Sequence, residues 1–331
     1  MATSPSATEL LDTVRAFQAA CIITAAAELD LFTVLEAEPL SASALAARIE
    51  ADPRASVVLL DALVALGLLE KEDACYHVPP GVAGLLCESA PTNVLAGVRH
   101  LANCLRHWSQ LARVVRTGRP VECAPSIRGP AADGQAFIGA MDNFAASVAP
   151  HVVARLAPLQ FSRLLDVGGA SGTWTVAFLR AVPEATAVLF DLPDVMPLAR
   201  ERLTGAGLAD RVTLVPGDYN AAELPGGADF AWLSAVAHQN SRQQNRALYA
   251  KIHAALTPGG TLVIRDIVMA PSRTSPPAGA LFAVNMLVNT EAGGTFTLSE
   301  YSEDLASAGF GRIELLHEDD AMNSLIRAVK T

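Results

Sequence analysis

Positive charge is scarce in this chain. Of 331 residues 24 are Lys or Arg against 34 Asp or Glu, leaving a net charge of −10. That balance excludes nucleic acid as an expected partner, because binding there rests on neutralising phosphates. Uninterrupted apolar runs of about eighteen residues are absent too, so no transmembrane helix and no membrane partner are expected, although mean hydropathy is +0.31. The N-terminal stretch lacks a basic segment followed by an apolar core, and no secretory leader is expected. Cysteine is limited to Cys21, Cys75, Cys87, Cys104 and Cys123, with neither CxxC pairs nor metal-ligand spacing. Reduced thiols in a cytoplasmic protein, without a bound metal, follow from that scatter. No internal repeat or low-complexity tract is present. Apolar residues, by contrast, make up 51%. They are spread through amphipathic segments, as in a globular chain of about two domains.

The first half reads as mostly helical. Residues 8–27 place Leu10, Leu11, Val14, Phe17, Ile22 and Ile23 at helical spacing. Ser41 is positioned to cap a helix over 44–49, and Asp52-Pro53 to open a second over 54–66, stopped by Gly67. Residues 68–73 and 75–78 then read as two short strands around a polar turn. Helix, turn, helix and small hairpin make a winged-helix module. Between Asp52 and Leu69 the sole basic residue is Arg54, so the would-be recognition helix offers phosphates and guanine edges almost nothing. The module therefore reads as structural or dimerising. Two further helices are expected over 94–118 and 134–158, joined by a loop rich in Gly and Pro.

Near residue 158 the texture changes. Strand-like runs at 163–167, 187–191, 212–216, 228–233 and 261–267 alternate with helical ones at 174–181, 196–205 and 243–256. Such alternation predicts an α/β domain with a parallel sheet and crossover helices. The expected division is a helical winged-helix domain over 1–157 and a Rossmann-like domain over 158–331.

The first of those strands ends in a glycine-rich turn, Leu164 to Thr173, carrying Gly168, Gly169 and Gly172. Glycines let a ligand approach the backbone, and a helix N-terminus behind them offers free N–H groups. No Lys follows, which excludes a phosphate loop, and the spacing is GGxxG rather than GxGxxG. Asp166, on the strand just before, suits an ammonium group better than a pyrophosphate. The methionyl part of S-adenosylmethionine carries such a group, and its carboxylate can use the helix N-terminus. Asp191, followed by Leu192, ends the next strand where a ribose diol is held in related folds. Asp218 and Tyr219 end a third, placed to accept from an adenine amino group and to stack on its ring. Any one of these aspartates is as readily a turn or helix cap. Three at successive strand ends point to one ligand, since ligands of open α/β sheets gather there.

The sequence resembles the plant-type small-molecule O-methyltransferases and their bacterial relatives from natural-product pathways. LLDVGGASGTW (164–174), FDLPDV (190–195), GDY (217–219), PGG (258–260) and AGF (308–310) follow that family's pattern in order, over nearly the whole chain. The resemblance implies a class I methyltransferase domain, S-adenosylmethionine as cofactor with Ser234 among its contacts, and a homodimer made by the winged-helix domain. It implies His238 as catalytic base, in a segment that usually reads HDW, and Asp266 as the acidic residue orienting it. Histidine suits the task, because its proton affinity lies close to working pH. A second acidic partner normally follows a glycine pair; here that stretch reads Gly293-Gly294-Thr295-Phe296-Thr297, and Gln239 replaces the usual Asp after the base. An acceptor pocket between the domains is implied, lined by Phe137, Met141, Phe282, Asn285 and Met286. For the apolar members ordinary core packing is the plain alternative, while a polar Asn285 in an apolar helix asks for a reason.

The expected reaction is O-methylation of a small organic acceptor, with His238 taking the proton, Asp266 steadying the imidazolium, and proximity supplying most of the acceleration. One alternative is S-methylation of a thiol or thioether, which needs little or no base and fits the thinned-out acidic partners. Others are a cofactor-binding tailoring enzyme that transfers no methyl group, and a winged-helix regulator that senses S-adenosylmethionine.

Overall fold

The computed structural model describes residues 4–331. By compactness the chain forms two units, one running to Arg106 and resuming over Ala124–Asn143, the other comprising His107–Cys123 and Phe144–Thr331. Residue 158 marks where strand and helix begin to alternate; compactness divides the chain elsewhere. Helix Leu111–Thr117 packs on helix Pro277–Asn289, and helix Ala149–Arg155 on helix Thr173–Ala181, which draws these earlier segments into the second unit.

In the first unit the helix foreseen over 8–27 is two, Ala7–Arg15 and Phe17–Glu28. Ser6 and Glu9 start the first with a reciprocal capping box. Leu10, Leu11, Val14 and Phe17 all stay exposed. Over Ala7–Glu28 the mean hydropathy reaches 1.3 and 11% of the window is buried. By length and composition alone this stretch is therefore apolar enough to cross a membrane, contrary to the expectation from uninterrupted runs. Asp12, Arg15, Gln18 and Thr24 break the run, and residues 16–27 carry no charge.

The winged module forms as its caps dictate. Strand β1 (Leu40–Ser41) leads into helix Ala42–Arg48, where the Ser41 hydroxyl accepts the Ala44 N–H at 3.2 Å. Asp52 accepts the Ala55 N–H at 2.8 Å and opens helix Pro53–Ala65. Strands β2 (Glu70–Glu72) and β3 (Cys75–His77) complete a small sheet in the order β1-β3-β2. Leu45, Leu60, Leu63 and Tyr76 bury its core. Both long helices expected next are broken, into Leu95–Trp108 with Leu111–Thr117 and into Pro130–Ala146 with Ala149–Arg155. Pro150 explains the second break, since it has no N–H to continue the preceding ladder.

The second unit is built on β4 (Arg163–Val167), β5 (Thr186–Asp191), β6 (Val212–Pro216), β7 (Ala228–Ser234) and β8 (Leu256–Asp266). Short strands β9 (Val268–Met269) and β10 (Phe296–Thr297) pair apart from the main sheet. Strands β11 (Phe310–His317) and β12 (Ser324–Lys330) close it. The order is β11-β12-β8-β7-β4-β5-β6. Five strands are parallel as expected, but β12 runs antiparallel to both its neighbours, β8 and β11, so the sheet is mixed. The chain passes outward from β4 through β5 and β6, then returns to β7 on the other side of β4. That reversal puts a crevice at the C-terminal ends of β4 and β7. Side chains alternate between two core layers. Leu165, Val167, Leu233 and Ile264 lie in one, Leu164, Trp232 and Val263 in the other.

Candidate active site

The glycine turn needs its glycines. Gly168 has φ +70°, and a Cβ there would lie 2.8 Å from Val236 Cγ2. A Cβ on Gly169 would lie 2.7 Å from Leu189 Cγ. Gly172, at φ 84°, opens helix Thr173–Ala181 with no side-chain cap, so its first N–H groups remain available to a ligand.

Two carboxylates converge on this turn. Asp191 Oδ2 accepts the Ala170 N–H and Oδ1 the Leu192 N–H, both at 2.7 Å. Burial raises the Asp191 carboxyl while these two bonds oppose the shift. Asp166 is almost fully buried and accepts from the Thr175 hydroxyl at 2.6 Å. Burial above all, opposed by Thr175 and reinforced by the charge of Asp191, pushes its carboxyl up to about 7. Two acidic groups held with this much unrelieved cost suit a cationic ligand, which restores their charged forms. The ammonium group, ribose and methionyl carboxylate of S-adenosylmethionine fit that donor and acceptor set. Thr175 is missed by sequence reasoning; its place in the first turn after the glycines was the available signal.

The outer contacts are more ordinary. Leu192 is half exposed. Asp218 Oδ1 accepts the Asn220 N–H at 2.8 Å, an Asx turn that Lys251 closes by donating to the carbonyls of Tyr219, Asn220 and Ala222. Tyr219 packs against the core, and burial raises its phenol. Ser234 ends β7 and accepts from Arg265 Nη1 at 3.1 Å. Arg265, which sequence reasoning also missed, is buried, donates to Asn323 at 3.0 and 2.8 Å, and lies 4.7 Å over the Trp174 ring. Burial brings it down to about 10. A charged pair inside an apolar strand run was its signal.

His238 sits on a single helical turn, Ala237–Gln239, just past β7. Its Nδ1 lies 2.9 Å from Asp266 Oδ1, and its backbone N–H donates to Asp266 Oδ2 at 3.2 Å. Both side chains are buried. The Phe282 ring meets the imidazole edge-on at 4.8 Å. Gly294 donates to the His238 carbonyl at 2.8 Å, and a Cβ on Gly293 would come within 2.5 Å of that oxygen, so the glycine pair abuts the His238 backbone directly.

Asn285 has a local reason to be polar: its carboxamide oxygen accepts from Trp108 Nε1 at 2.8 Å and from Asn289 at 3.0 Å. Met286 is buried beside it on the same helix. Phe137 and Met141 belong to the first unit, where Phe137 is 42% exposed and meets His100 edge-on at 5.2 Å. Among the described residues no group of three or more His, Cys, Asp or Glu is gathered to hold a metal.

Residues 126–311 match the O-methyltransferase domain, and residues 11–82 match the O-methyltransferase dimerisation domain. The chain belongs to the O-methyltransferase family. This O-methyltransferase is 34% identical over 309 residues to the tetracenomycin polyketide synthesis 8-O-methyl transferase TcmO of Streptomyces glaucescens, covering 91% of both chains. It is 31% identical over 314 residues to the 3-hydroxy-5-methyl-1-naphthoate 3-O-methyltransferase of Streptomyces sahachiroi, covering 93% of this chain and 91% of the other. Its fold matches that of human N-acetylserotonin methyltransferase in complex with S-adenosylmethionine, with a TM-score of 0.81, 26% identity, and 100% and 99% of the two chains covered. The O-methyltransferase is thus S-adenosylmethionine-dependent, with a Rossmann-like methyltransferase fold and an N-terminal helical dimerisation domain.

Proposed function

We propose that this O-methyltransferase methylates a hydroxyl of a small aromatic natural product, of the kind named for its two Streptomyces relatives, with His238 as general base. The carrying observation is the buried pair of His238 and Asp266 at the crevice edge of the sheet. Asp266 accepts from Nδ1, which leaves Nε2 as the nitrogen that takes a proton from the acceptor hydroxyl. Asp266 then stabilises the imidazolium.

Bound S-adenosylmethionine supplies an electrophilic methyl group on a cationic sulfur. In this proposal Asp166 faces the ammonium group and the turn of Gly168, Gly169 and Gly172 faces the carboxylate. Asp191 and Leu192 hold the ribose, Asp218 and Tyr219 the adenine, and Ser234 completes the contacts. The two oxygens of Asp191 each already accept one backbone bond, and each keeps a lone pair for a ribose hydroxyl. Phe282, Asn285 and Met286 line the acceptor side. The protein works as a cytoplasmic homodimer through its dimerisation domain, and its negative charge opposes any nucleic-acid partner.

Incubation with labelled S-adenosylmethionine and a panel of phenols, thiols and thioethers tests this directly. Methylated phenols should form with the native protein and nearly vanish with His238→Ala. Product from thioethers alone would sink the proposal.

A further inference from the structure

Two tyrosine hydroxyls are buried without a hydrogen-bond partner among the described residues: Tyr249, on helix Arg242–Ala255, and Tyr301, on helix Leu298–Ser307. Both rings are essentially inaccessible. A buried hydroxyl left unpaired costs stability, and native cores seldom keep one without a reason. Here there are two in one core layer.

Their placement is specific. Both belong to the layer that contains Val236, Ala237, Ile264 and Val268, the residues flanking His238 and Asp266 along the chain. Asn245, one turn before Tyr249, donates to the Ala237 carbonyl at 2.9 Å and accepts from Asn240 at 3.1 Å, fastening this helix to the segment that bears His238. Tyr301 meets Phe296 edge-on at 5.9 Å. Phe296 in turn pairs with Val268, two residues past Asp266. The two helices pack against each other. Burial, followed by the charge of Asp266, raises both phenols well above their ordinary range, so both are neutral donors.

Asp266 has room for them. Its Oδ1 serves His238 Nδ1 at 2.9 Å and the Ile267 N–H at 2.8 Å, whereas Oδ2 takes the longer bond from the His238 N–H at 3.2 Å. We propose that Tyr249 and Tyr301 are positioning residues whose hydroxyls donate, through an internal water, to Asp266 Oδ2. This rests on the reading of His238 as base.

The other charges nearby are already engaged. Asp304 is held by Arg242 and Arg246, and Glu300 by Arg273 and, at 3.9 Å, Arg242. Arg265 is turned to Ser234 and Asn323. Donors on Oδ2 spread the negative charge of Asp266, so less of it acts on the imidazole. Without them Asp266 holds the His238 proton more tightly, and protonation persists to higher pH.

Tyr249→Phe and Tyr301→Phe test this as separate variants. Two readouts apply: the pH dependence of kcat/KM, and an NMR titration of the His238 ring in protein without acceptor. In either variant both should move to higher pH by about half a unit or more, with S-adenosylmethionine affinity unchanged. An unmoved titration in both variants overturns the proposal, whatever the melting temperature does. An equal or higher melting temperature beside it would mark the hydroxyls as truly orphaned, since their removal then relieves a cost. If one variant fails to fold, the other decides. Full activity of His238→Ala would remove the base reading alone, and the NMR titration would still decide whether the tyrosines act on the pair.

Discussion

Asp266 holds His238 at two points, its Oδ1 2.9 Å from the imidazole Nδ1 and its Oδ2 3.2 Å from the backbone nitrogen of the same residue. One carboxylate thus sets both the ring and the short turn that carries it. Such a clamp fixes the orientation of the ring and stabilises its protonated form.

Removing the base should therefore damage turnover and spare cofactor binding. His238→Ala is expected to lower kcat by about a hundredfold to ten-thousandfold on a phenolic acceptor, because the lost interaction exists mainly in the transition state. Asp266→Asn should fall in the same direction by less. Steady-state kinetics with calorimetric binding of S-adenosylmethionine separates the two effects, and full activity of the His238 variant would end the proposal.

Asp166 should make both stability and cofactor binding depend on pH. Its carboxyl rises from 3.8 to about 7 on folding. The folded state then binds more protons than the unfolded chain between those values. Stability is accordingly highest below the unfolded value and is lost as pH rises through the folded one, by at most roughly 4 kcal/mol. Asp166→Asn should flatten the melting temperature between about pH 4 and 7 while weakening S-adenosylmethionine. In the proposed pose the ammonium group lies beside Asp166 and draws off its proton, so binding near neutrality should release up to one. Calorimetry in buffers of different ionisation heat measures that release, and an identical release in the variant would show that the proton comes from elsewhere.

Asp191→Ala should weaken the cofactor by about tenfold to a hundredfold, the range for a lost charge-assisted bond. It removes the acceptor for both Ala170 and Leu192 along with the proposed ribose contact. Asp191→Asn keeps one acceptor oxygen and should lose less. The rise in melting temperature with added S-adenosylhomocysteine reports both. Equal shifts in native protein and Asp191→Ala would mean the ribose lies elsewhere.

The exposed stripe of Leu10, Leu11, Val14 and Phe17 should be covered in a dimer. Sedimentation at micromolar concentration should show a dimer for the native protein and a shift to monomer for Leu10→Glu combined with Phe17→Glu. A native protein that sediments as a monomer would rule out the homodimer.

Much of the site was legible because it is local. Ser41 and Asp52 cap the helices that their position before an apolar run announces, since a cap needs only its own side chain and an N–H three residues on. The glycine turn after β4 was readable likewise, because a positive φ beside a strand end favours glycine whatever surrounds it. Asp166, Asp191 and Asp218 were singled out by their place at or beside strand ends, which periodicity alone locates. His238 and Asp266 came from a family pattern, and their separation of 28 residues is one that no local rule bridges.

Tertiary structure decided the rest, in each case through a partner distant in sequence. Strand β12 turns the sheet mixed, because only pairing between β8 and β11 makes its residues part of the sheet. Asn285 is polar for Trp108, 177 residues away in the chain. Arg265 is a buried charge that Ser234 and Asn323 make tolerable. Tyr249 and Tyr301 look like core aromatics until the fold carries them to the layer behind Asp266. Caps, turns and strand ends are set within a few residues by backbone sterics and short hydrogen bonds. A buried polar group's partner is set by chain topology, because its desolvation cost falls to whichever donor or acceptor the fold brings within reach.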